Sequence, residues 1–221
     1  INIAGTSLIS QNIGAGRKEK ARKISGQIIS FSVIFSLFIG LIGIICAKNI
    51  VAIMGGKGEI LIYATNYLKI MFCGMPTIFL FMAFTSIKQG QGDTFTPMLY
   101  SGISVILNMI LDPVFIFTLG LGVRGAALAT VISRAIFTLF AIYSLFITKD
   151  GISIHFHDLK LRKRILNKVV RIGMPASVGQ STAALGFMVL NMFIISFGES
   201  TLAAFGIGNR INSLVLMPAM G

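Results

Sequence analysis

Ile106-Leu107-Asn108-Met109-Ile110-Leu111-Asp112-Pro113 sets one acid inside an apolar run that carries no other charge between Thr94 and Val123. Asp112 therefore sits in lipid, in protein interior or in a water-filled pocket, and an ionisable group there is costly unless it has a partner or a task. Asn108 lies four residues earlier, one turn away on the same helical face, and its amide bonds a carboxyl group in either protonation state. Pro113 removes a backbone donor and leaves the carbonyl of Met109 without its usual partner, which predicts a bend beside the acid. The stretch reads as a protonatable or cation-binding point at a helix irregularity.

The rest of the chain agrees with a membrane setting. Hydrophobic residues make up 55% of it and charged residues 12%, and the mean hydropathy is +0.87. Such a composition is far more apolar than a soluble domain allows and gives an all-α, polytopic membrane protein. The net charge of +12 is concentrated in two places. Arg17 to Lys23 holds five basic residues against one acid, and Lys149 to Arg171 holds seven against two, together nine of the net charges. Both segments lie between apolar spans, the pattern of cytoplasmic loops, so loops 16–23 and 149–171 are read as cytoplasmic at a cell (inner) membrane. There is no tryptophan, and the basic residues are not interleaved with aromatics, so nucleic acid is not an expected partner. The expected partner is the lipid bilayer.

Ile24 to Ala47 is uncharged over 24 residues, enough to cross a bilayer core that needs about 20. A second span covers Leu61 to Ile87, with a kink predicted at Gly74-Met75-Pro76 and Lys69 snorkelling to the interface. A third starts near Pro97, a fourth runs from Gly125 to Ile147, a fifth from Ile172 to Phe197, and a sixth begins near Thr201. Four spans separate the two basic segments, which puts both on one side. The expected organisation is a partial first bundle over 1–148, a basic connector over 149–171 and the start of a second bundle over 172–221. The chain opens with Ile1, within apolar sequence, and is expected to be a fragment. Cys46 and Cys73 both fall inside spans and are read as buried thiols rather than a disulfide.

Three motif matches have simpler explanations. Gly120-Leu121-Gly122-Val123-Arg124-Gly125 fits a dinucleotide fingerprint by letter, but a membrane helix precedes it instead of a strand, so a tight outer turn is expected. Gly55-Gly56-Lys57-Gly58 lacks the spacing and hydroxyl of a phosphate loop. His155-Phe156-His157-Asp158 is read as a solvent-facing loop segment, and no metal site is assigned.

At 1.5 Å per residue, Asp112 lies about 12 Å below Gly120, and Thr130 about 8 Å below Gly125 on the next helix. Asn108, Asp112 and Thr130 are thereby expected to converge in the outer half of one bundle. A carboxylate, an amide oxygen and a hydroxyl are hard ligands, suited to a proton or a small hard cation. Met71, Met75 and Met82 near the kinked helix, and Arg134 within the fourth span, are the candidate substrate-cavity residues. No nucleophile, base and orienting acid can be assembled, so an enzyme is not expected.

The chain resembles the multidrug and toxic compound extrusion (MATE) transporters. The stretches that carry the resemblance are Gln11-Asn12-Ile13-Gly14-Ala15-Gly16, Gln91-Gly92-Asp93-Thr94, Leu107-Asn108-Met109-Ile110-Leu111-Asp112-Pro113 and Gly125-Ala126-Ala127-Leu128-Ala129-Thr130. Gly173-Met174-Pro175, Phe197-Gly198 and Ala203-Ala204-Phe205-Gly206-Ile207-Gly208-Asn209-Arg210 follow in the family's order. The resemblance implies two lobes of six helices, with this chain running from the end of the second helix to the eighth and 149–171 joining the lobes. It also implies that Asn108 and Asp112 match the fifth-helix residues of the family's N-lobe cation site, and Thr130 its sixth-helix hydroxyl. The acid that some members carry early in the seventh helix is missing here: Ile172 to Gly198 has none. The implied function is antiport by alternating access, coupled to H⁺ or Na⁺ and needing no cofactor, that exports amphipathic and often cationic organic compounds. Two rival readings are a lipid or lipid-linked glycan flippase of the same two-lobe architecture and a non-transporting membrane subunit.

Overall fold

The computed structural model describes residues 1–147, 154–195 and 205–213, and all described secondary structure is helical. Contacts divide the chain into two compact units, Ile1–Gly173 and Met174–Gly221. In the first, α1 (Asn2–Gly14), α2 (Lys18–Ile53), α3 (Gly58–Cys73), α4 (Met75–Gly90), α5 (Phe95–Pro113) and α6 (Gly122–Ile147) follow in order. A single π-turn, Val114–Thr118, ends α5, and a 3₁₀ turn, Phe156–Leu159, precedes α7 (Lys163–Ile195). Among the described residues, α2, α5 with its π-turn, and α6 are each long and apolar enough to cross a bilayer. The pair α3–α4 passes the same test with a 44° bend between its members. That bend falls at the predicted Gly74-Met75-Pro76 kink, where Pro76 lies in the first turn of α4 and the hydroxyl of Thr77 donates to the Gly74 carbonyl at 2.7 Å.

Along the spanning part of α2 the packing is inverted relative to a soluble bundle. On α2 the buried face is Ser32, Ser36, Gly40, Gly43 and Ala47, at helical spacing, while Phe35, Leu37, Phe38, Leu41 and Ile45 face outward. In lipid there is no gain from hiding large apolar chains, and helices associate where small residues let backbones approach. The Phe72 carbonyl and ring of α3 lie where side chains at Gly40 and Gly43 would be. A core of Ala4, Leu8 and Ile9 from α1, Ile24 and Ile28 from α2, Phe84 and Ile87 from α4, and Ala141 and Leu145 from α6 closes one end of the bundle.

The basic segment after Gly16 is not a loop: residues 18–23 form the first turns of α2, which runs unbroken for 36 residues. Lys, Arg and Glu are good helix formers, and hydropathy marks where a helix leaves the membrane rather than where it ends. Similarly, α7 begins at Lys163, ten residues before the Gly173-Met174-Pro175 stretch expected to open it, and carries Pro175 in its interior. The described part of the connector, from Ile154 onward, packs against α2. The buried Asp158 pairs with Arg22 at 3.0 Å, and the Gln27 amide donates to the Asp158 and Lys160 carbonyls at 3.2 and 2.6 Å. Gln27 Oε1 accepts the Arg162 backbone N–H at 2.6 Å, and the Ser30 hydroxyl donates to the Leu159 carbonyl at 2.7 Å. Gly26 makes this docking possible, because a Cβ there would collide with the Asp158 carbonyl. Both basic segments therefore lie at one end of the bundle.

In the second unit α7 continues to Ile195, and residues 205–213 are helical. The end of the expected fifth span, the start of the sixth at Thr201, the connector residues 149–153 and the Phe197-Gly198 and Ala203-Ala204 matches lie outside the described residues.

The turn Gln91-Gly92-Asp93-Thr94 has a clear local role. Asp93, one residue before the N-cap Thr94, accepts the Thr96 backbone N–H in the first turn of α5 at 2.9 Å and pairs with Lys88 at 3.3 Å. Partial burial works to raise the Asp93 pKa, but the Thr96 and Lys88 contacts outweigh it and hold the carboxyl below its ordinary value. A depressed carboxyl contributes stability above its unfolded-state pKa, and the contribution is lost as pH falls through the folded value. Asp93→Ala should cost about 1 kcal/mol at neutral pH. Thermal unfolding in detergent should show that cost shrinking as the buffer is acidified.

Candidate functional site

Asp112 is the penultimate residue of α5, and the missing N–H of Pro113, which ends the helix, is followed by the π-turn instead of a sharp kink. Within that turn the Leu119 N–H donates to the Val114 carbonyl at 2.9 Å, and the Leu121 N–H donates to the Phe115 carbonyl at 3.2 Å. The chain then reverses at Gly120 and Gly122, whose φ values of +64° and +53° few other residues adopt. A side chain at Gly125 would meet the Phe115 carbonyl. The three glycines of the apparent dinucleotide fingerprint thus serve a tight turn and the close seating of α6 on the π-turn.

That seating brings the three polar residues together. Asn108 Nδ2 donates to Asp112 Oδ1 at 3.3 Å and to Thr130 Oγ1 at 3.5 Å, so one amide spans α5 and α6. The Thr130 hydroxyl in turn donates to the Ala126 carbonyl at 2.9 Å. All three side chains are half-buried. Among the described residues, the second carboxylate oxygen of Asp112 and the amide oxygen of Asn108 carry no further bond to protein, which leaves hard acceptors at the site.

Beside this triad lies a cavity of about 230 Å³ between α4, α5 and α6. Thr77, Met82, Ser104, Arg134, Phe137 and Thr138 are among its walls. Ser104 is one turn before Asn108 on α5, and Arg134 one turn after Thr130 on α6, so cavity and triad are stacked along the same pair of helices. Of the expected cavity residues, Met82 and Arg134 line it, while Met71 and Met75 do not. The bend at Gly74 redirects the start of α4, and Met75 Cβ faces Gly40 of α2 instead. Ser104, Thr77 and Thr138 were not singled out from sequence. Small hydroxyls in an apolar helix are unremarkable until the facing helix is known.

Asp158 does not face solvent as its sequence context suggested, because Arg22 and the His155 backbone N–H, 3.1 Å away, hold it against α2. His155 and His157 are exposed, and among the described residues no group of three potential ligands could hold a metal ion.

Comparison with known proteins bears on the family and the fold. The MatE family profile matches residues 1–114. Multidrug export protein MepA of Staphylococcus aureus is 35% identical over 222 residues, covering 99% of this chain and 48% of the relative. A solved multidrug resistance MATE family transporter of the MOP superfamily in the outward-facing conformation is 32% identical, with a TM-score of 0.91 over 99% of this chain and 49% of its own. An inward-facing structure, also 32% identical, gives 0.84 over 98% of this chain and 50% of its own. The chain spans about half the length of the curated relatives it matches. Its helices form a multi-pass membrane bundle of the kind found in those two-lobe transporters. By sequence and by fold, the chain belongs to the MatE family.

Proposed function

We propose that the full-length protein is an antiporter that exports amphipathic organic compounds, coupled to H⁺ or Na⁺ through Asp112, Asn108 and Thr130. The observation that carries this reading is the single Asn108 amide bridging a membrane carboxylate on α5 and a hydroxyl on α6. With Asp112 ionised, Asn108 donates to it. A proton arriving at that oxygen turns the acceptor into a donor, so the amide rotates to offer its oxygen and its link to Thr130 changes. A small cation would ask for the same rotation, since it too is bound by oxygens. Either event alters the α5–α6 junction at the π-turn, and that junction is where ion occupancy can bias alternating access. Linkage demands that a compound preferring the ion-free state weaken ion binding by the same factor.

In this reading 1–148 belongs to the N-lobe, 149–171 joins the lobes at the cytoplasmic face, and 172–221 begins the C-lobe. The cavity beside the triad, with Met82 and Phe137 as polarisable surface and Arg134 as its charge, is the candidate substrate contact in this lobe. MepA's description as a multidrug export protein supports the choice of cargo. The test is dye movement in proteoliposomes of the full-length protein. An imposed proton or sodium gradient should drive a fluorescent organic cation against its own gradient. Movement that ignores both gradients would reject coupling, and movement of lipid-linked sugars in place of dyes would reject the cargo.

A further inference from the structure

A second cavity, of about 460 Å³, opens at the end of the bundle that carries both basic segments, away from the triad. It is walled by Gln11 and Asn12 of α1, by Arg17 and Lys20 where α2 begins, and by Arg164 and Lys168 where α7 begins. Leu8, Ile24 and Ile165 supply an apolar side. No acid lines it. The neighbouring acids are committed elsewhere, Glu19 to Lys23 at 3.8 Å and Asp158 to Arg22 at 3.0 Å. Among the described residues, none of the four lining cations forms an ion pair with a carboxylate.

Helix stability does not account for these cations. They crowd the first turns of α2 and α7, where the helix dipole favours acids and disfavours positive charge. The α2 terminus has no side-chain cap. Sidedness of insertion is served by any lysine or arginine in the segment and does not require four of them around one concavity. Lys18 and Lys163, one residue away from Arg17 and Arg164, meet that need without lining the cavity. Four cations and two amides suit a phosphate group. Their adjacency to leucine and isoleucine suits a phosphate that comes attached to an apolar body.

We propose that this cavity binds a phosphate diester, presented by the headgroup of an anionic phospholipid of the inner leaflet. Basic pockets between membrane helices on the cytoplasmic side have the field and depth for such headgroups. Bound there, the headgroup would hold the first turn of α7 against α1 and α2. The proposal needs neither the coupling site nor any cargo, so it stands or falls separately from antiport.

The test is lipid binding to the purified full-length protein in detergent, read by native mass spectrometry and by thermal shift. Phosphatidylglycerol should bind and stabilise, while phosphatidylcholine and free glycerol phosphate should do neither at equal concentration. Arg164→Gln with Lys168→Gln should weaken phosphatidylglycerol binding roughly thirtyfold, at about fivefold per lost cation. Arg17→Gln with Lys20→Gln should do the same, guarding against a folding defect in either pair. Lys18→Gln with Lys163→Gln removes equal charge outside the cavity and should leave binding within about threefold. Equal binding of free glycerol phosphate would overturn the lipid assignment. An equal loss in the Lys18/Lys163 pair, or no binding of phosphatidylglycerol at all, would overturn the site.

Discussion

Asp112→Asn in the full-length protein should reduce gradient-driven export to the level of protein-free vesicles, while expression and thermal stability stay close to those of the parent. The substitution is nearly isosteric and retains an oxygen that can accept the Asn108 amide hydrogen, so the α5–α6 link at 3.3 and 3.5 Å can persist. What it removes is the ability to gain and lose a charge. An acid that only tied helices together would show the reverse, a loss of stability with transport retained in the surviving fraction. Asn108→Ala should fall between the two, because the carboxylate remains but its partner across the junction is gone. Downhill dye equilibration, measured without a gradient, separates loss of coupling from loss of the pathway. If Asp112→Asn still concentrates dye as the parent does, the coupling role is wrong.

Arg22→Ala should be the most destabilising single change at the connector, by about 2–4 kcal/mol in detergent unfolding. The guanidinium is about a third exposed, at 32%, so the loss lies below that of a fully enclosed pair, but the 2%-exposed carboxylate of Asp158 would be left without its countercharge. Removing both charges with Arg22→Ala and Asp158→Ala should recover part of the loss. The His155 N–H would still lose its acceptor, so recovery stays incomplete. A double-mutant cycle with no coupling between the two positions would mean that the Gln27 and Ser30 contacts seat the connector without the ion pair.

What could be read from the sequence follows a physical rule. Features set by neighbours along one helix were legible: the Asn108–Asp112 turn, the disruption at Pro113 and the bend at Gly74 are all local. Thr130 was reachable because a short turn fixes the register of α6 against α5. Contacts between distant parts of the chain carry no such signal. Gln27 meets Asp158 and Lys160 across more than a hundred residues, and nothing in a glutamine within a membrane helix, or an acid beside two histidines, announces that pair. Met71, Met75 and Met82 look alike in sequence, and only the packing of α4 against α5 and α6 shows that Met82 lines the cavity between them. The start of α2 was missed because charge density marks a membrane boundary, and the helix simply continues through it.

The most direct measurement of the central claim is the infrared difference spectrum of the full-length protein as its coupling ion is added and withdrawn. Acidification, or sodium, should perturb one carboxyl vibration that vanishes in Asp112→Asn and shifts in both Asn108→Ala and Thr130→Ala. An ion-induced carboxyl signal that survives unchanged in Asp112→Asn would place the titrating group elsewhere and contradict the account.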